Sequence, residues 1–66
     1  MTPAEAAILW QQAALHHDRC KREFLAAAPA GVEHAAARLS SASNALAGAS
    51  YRYEQAVRDA VEVTGR

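Results

Sequence analysis

Cysteine occurs once in this 66-residue chain, at Cys20, so an internal disulfide cannot form. The three glycines and two prolines leave a single interior Pro/Gly cluster, Pro29-Ala30-Gly31, which marks the main break in the chain. Aromatic residues are 6% of the chain, and of the 34 apolar residues 18 are alanine, so the potential core is thin. Below roughly 70–80 residues one core seldom supplies more than about 3–5 kcal/mol without a staple, and none is evident here. No stretch approaches the ~20 apolar residues that cross a bilayer. Met1-Thr2-Pro3-Ala4-Glu5 has neither the basic nor the apolar region of a signal peptide, so a soluble cytoplasmic protein with no membrane partner is expected. Seven basic and seven acidic residues balance to zero, which gives no reason to expect a polyanion as main partner.

The chain does have a period. Alanine recurs every seventh residue at Ala35, Ala42, Ala49 and Ala56, with Val32, Leu39, Leu46 and Tyr53 three positions ahead. The first half answers with Ala6, Ala13, Cys20 and Ala27, and with Trp10, His17 and Phe24 four positions after the first three. Small residues on a seven-residue spacing let two helices approach closely, each large side chain lying over a facing alanine. Thr2-Pro3-Ala4-Glu5 is a helix start, in which Thr2 caps a free amide, Glu5 reaches back to the Thr2 amide and Pro3 suits the first turn.

The pattern predicts an all-α fold, a single domain over 1–66 folded as an antiparallel hairpin. Helix 1 runs over about 3–28, the turn over 29–31 and helix 2 over about 32–63, with Gly65 as a stop. Folding about residue 30 should bring Trp10 near Ala49 and Tyr53, and Phe24 near Ala35 and Ala36. The weak middle of helix 2, Ser40 to Asn44 followed by Gly48, leaves open a break into three helices. Ile8 and Leu15 sit one heptad apart on the otherwise polar side of helix 1, and Val57, Val61 and Val63 extend toward or past its start. With Tyr51 they are the expected partner interface, through which the hairpin dimerises into a four-helix bundle or docks on a helical partner.

Residues that could carry chemistry are few. His16, His17 and Cys20 have the i, i+3 and i, i+4 spacing of metal ligands, but two or three donors do not close a tetrahedral site, and His34 falls far from them. Cys20 beside a histidine is a thiol–base pair without an orienting group or a pocket. Neither an enzyme nor a cofactor is expected. Arg19, Lys21 and Arg22 form a short basic segment diluted by Asp18 and Glu23, and an Asp18–Arg22 ion pair is expected there. In a dimer the segment could become a nucleic-acid patch, the alternative reading.

In length, hairpin form and small/large alternation the chain resembles the plasmid-copy-number RNA-binding hairpin family, which implies a dimeric four-helix bundle. No RNA-contacting motif matches, so the resemblance does not imply RNA binding. Cys20-Lys21-Arg22-Glu23 near the end of helix 1 is similar to a segment of the helical-hairpin co-chaperones of type III secretion needle subunits. That resemblance implies a non-catalytic support for a larger helical chaperone. Secreted hairpins of the WXG type differ in carrying Trp-x-Gly at the turn. The expectation is a non-enzymatic protein–protein interaction module, a small adaptor or co-chaperone.

Overall fold

The computed structural model describes residues 1–64. Its two helices, α1 (Pro3–Ala26) and α2 (Val32–Thr64), are joined by a 3-10 turn over Pro29–Gly31 and lie against each other as an antiparallel hairpin. The molecule is a rod of 57 × 14 × 13 Å. The stop expected at Gly65 lies outside the described residues.

The start of α1 is built as its residue types dictate. The Thr2 hydroxyl accepts the Glu5 amide N–H at 3.2 Å, and the Ala6 N–H donates to the Thr2 carbonyl at 3.0 Å. The Glu5 carboxylate, however, receives the Thr2 hydroxyl proton at 3.0 Å instead of bonding the Thr2 amide. One hydroxyl thus accepts from the backbone and donates to a carboxylate, closing the first turn. At the other end α1 stops at Ala26, two residues earlier than expected. Ala27 and Ala28 are extended, with ψ of 137° and 156°. Pro29 disfavours helical geometry at Ala28, and the chain leaves the helix one residue sooner still. The Gly31 N–H then donates to the Ala28 carbonyl at 2.8 Å, closing the tight turn that feeds α2. α2 passes through Ser40–Asn44 and Gly48 without interruption, so the three-helix alternative falls away.

The core is the alanine seam. Ala6 and Cys20 of α1 and Ala35, Ala42, Ala49 and Ala56 of α2 are the buried residues, and Cys20 is the largest side chain fully enclosed. Leu39, Leu46, Tyr53 and Phe24 remain half-buried along its edges. A seam of small side chains brings two helices together but hides little apolar area. The accessible surface is 5013 Å², against about 4,000 Å² for a compact monomer of 7.0 kDa. Measured against an extended chain, folding hides about half of the surface, where a compact domain of this size hides about 60%.

Candidate interaction surface

Seven residues make almost two helical turns, so each heptad position keeps one direction along a helix. In both helices the residues one and four places after a seam position lie on one flank, and those three and six places after it lie on the other. Because the helices run antiparallel, like flanks fall on the same side of the hairpin. Two contacts across the seam fix the sides. Trp10 and Tyr53, each four places after a seam alanine, have ring centroids 5.1 Å apart. Glu23 and Arg38, each three places after a seam residue, make an ion pair of 2.6 Å.

The Trp10–Tyr53 side is largely apolar and nearly free of charge. From α1 it takes Trp10, His17 and Phe24, with Ala7, Ala14 and Lys21 beside them. From α2 it takes Leu39, Leu46 and Tyr53, with Ser43, Ser50 and Val57 beside them. Lys21 is the only Asp, Glu, Lys or Arg among these positions. The Glu23–Arg38 side is the charged one, carrying Glu5, Arg19 and Glu23 from α1 and Arg38, Arg52, Asp59 and Glu62 from α2, with the exposed Leu9, Ala26 and Ala45 among them. The apolar side is also concave near its aromatic pair. A depression of about 370 Å³ is lined by Ala7, Trp10, Gln11, Ala14 and Tyr53. It adjoins a second, of about 430 Å³, through Gln11 and Ala14, which runs on to Leu15 and Asp18.

Of the residues expected at a partner interface, Leu15 borders the second depression and the rest, Val57 excepted, lie off this surface. Ile8 and Leu15, 54% and 68% exposed, point away from α2 on the back of α1. Tyr51 and Val61 are equally exposed but on the back of α2, the opposite side of the rod. Val63 is 78% exposed near the end of α2, and Val57 alone lies on the apolar flank. The basic segment is dispersed in the same way, since consecutive residues are turned 100° from one another. Arg19 lies on the polar flank and Lys21 on the apolar one. Arg22 is on the back of α1, where it pairs with Asp18 at 2.7 Å, as the i, i+4 spacing predicts. The signal that reveals the apolar side was present in the chain: charge is nearly absent one and four places after the seam, and concentrated three and six places after it.

The chemistry-bearing residues also separate. The Cys20 Sγ lies 3.7 Å from His16 Nε2, one turn back, but Cys20 is 1% exposed at the centre of the seam. His17 turns to the apolar flank and His16 to the polar one. Among the described residues no group of three or more His, Cys, Asp or Glu side chains is placed to hold a metal ion. No helix among them is long and apolar enough to cross a membrane. No protein-family model, curated protein or solved structure matches the chain.

Proposed function

We propose that this protein is a non-enzymatic protein–protein interaction module, a two-helix adaptor that works by offering its Trp10–Tyr53 side to another helical surface. The observation that carries this reading is the segregation of charge. One flank carries Lys21 as its only charge and is left only half-buried by the hairpin at Phe24, Leu39, Leu46 and Tyr53, while the other, mostly exposed, carries seven charged side chains. Pairing within the hairpin covers the apolar flank only in part, and a partner helix would cover the remainder. The shape agrees, since the surface in excess of a compact monomer, about 1,000 Å², is of the order of one side of the rod.

The test is site-specific photo-crosslinking in the producing cell, with the photoreactive residue at Ala14 on the apolar side or Ala45 on the polar side. Both positions are exposed, so neither replacement disturbs the seam. A discrete adduct from position 14 and none from position 45 is expected, whatever the adduct's partner. Equal labelling from both, or none from position 14, would overturn the reading.

A further inference from the structure

We infer that the occupant of the apolar side is a second copy of this chain, two hairpins stacking face to face through their Trp10–Tyr53 sides into a four-helix bundle. The inference rests on the reading just given and adds the identity of the partner.

Area is the first argument. The helices lie side by side over the 24 residues of α1, about 36 Å, so a face 14 Å wide comes to about 500 Å² in projection per protomer, and a pair hides at least about 1,000 Å², the size a specific interface must clear. A single docked helix, about 10 Å wide with its side chains, would leave part of that width exposed. A second hairpin matches it in width and in length.

Charge is the second. A partner selected by electrostatics needs a patterned counterpart, and this face offers one cation, Lys21, over its whole length. A surface almost without charge meets no repulsion from its own copy, so the self-complementarity that a two-fold interface demands is satisfied. Lys21 lies off the middle of α1. A two-fold axis crossing the rod at its centre therefore separates the two ammonium groups, and each long stem can carry its charge to the rim.

Relief is the third. The ridge of Leu39, Leu46 and Tyr53 stands between two rows of small residues on α2. One row is the seam alanines, already covered by α1. The other is Ala36, Ser43 and Ser50, which face outward on the apolar side. The helices that fit against the first row are those of this chain, and a second copy brings the same pattern of small and large side chains to the second row.

Sedimentation equilibrium on the purified full chain, from about 1 to 300 µM, tests the proposal against two charge variants. Wild type should sediment at twice 7.0 kDa at the upper concentrations. Ala14→Glu and Ser43→Glu each place a carboxylate on the face at an exposed position outside the seam, and each should raise the dimer dissociation constant at least about tenfold. Ala45→Glu on the polar side and Leu15→Glu on the back of α1 should leave it within about twofold. Trp10 fluorescence supplies a readout that needs no variant. Its indole, the only one in the chain, should shift to longer wavelength as wild type is diluted through the dissociation constant. A wild type monomeric at 300 µM would overturn the second copy as occupant, and so would a dimer lost in Leu15→Glu and kept in Ala14→Glu and Ser43→Glu. A position-14 adduct to a different protein, together with a monomeric wild type, would remove this inference and leave the interaction module standing.

Discussion

Ala42→Leu probes the seam directly. Ala42 is 2% exposed at the middle of the contact between α1 and α2, and its methyl group faces the other helix. Leucine adds three carbon atoms to a side chain already closed off from solvent by the facing helix. The helices must separate locally, or the new side chain must leave its preferred rotamers, at a cost of about 1–3 kcal/mol. In a domain of this size each kcal/mol moves the melting temperature by about 4–8 °C, so a loss of about 5–20 °C is expected. The control is Ala37→Leu, the same change of side chain on the outward back of α2, where Ala37 is exposed. Alanine and leucine differ little in helix propensity, so that variant should melt within about 3 °C of wild type. Thermal denaturation followed by circular dichroism at 222 nm, with all three proteins at one concentration, measures both. Equal melting temperatures for Ala42→Leu and Ala37→Leu would refute the close seam, and with it the assignment of flanks built on its phase.

Two further outcomes follow from particular residues. A Cβ built at Gly48 meets nothing within 4 Å, so Gly48→Ala should gain about 1 kcal/mol of helix propensity and raise the melting temperature by several degrees in the same assay. Cys20, the enclosed thiol, should resist alkylation by iodoacetamide in buffer and react fully in 6 M guanidinium, as mass spectrometry would show. Rapid modification without denaturant would contradict its place in the seam.

Much of this architecture was legible in the residues. The seven-residue alanine period locates the seam, the Pro29-Ala30-Gly31 cluster locates the turn, and Thr2-Pro3-Ala4-Glu5 locates the start of α1. Trp10 meets Tyr53 as folding about residue 30 requires. The end of α1 was less legible, because Ala26, Ala27 and Ala28 are identical residues and local propensity does not choose among them. Proline disfavours helix at Ala28, and Ala27 is already extended although nothing in its residue type sets it apart from Ala26. Ile8 and Leu15 are isolated apolar side chains on a polar helix face, a feature that each helix shows by itself. The apolar side is a property of two helices together. Ala14, Ser43 and Ser50 mean little by themselves and become a surface only once antiparallel pairing sets them beside Trp10, Leu46 and Tyr53.

The seven-residue period has a further consequence, for the dimension of the molecule along its axis. Excising one heptad from each arm at matching heights returns every remaining side chain to its original bearing, because seven residues restore the same direction on both rods. The hairpin can therefore be shortened or lengthened in steps of about 10 Å without rewriting its surfaces. Removing three or four residues from a single arm would instead swing everything beyond the cut out of phase. Length is an independent variable in this protein, and a family of such rods in graded sizes could share one set of contacts.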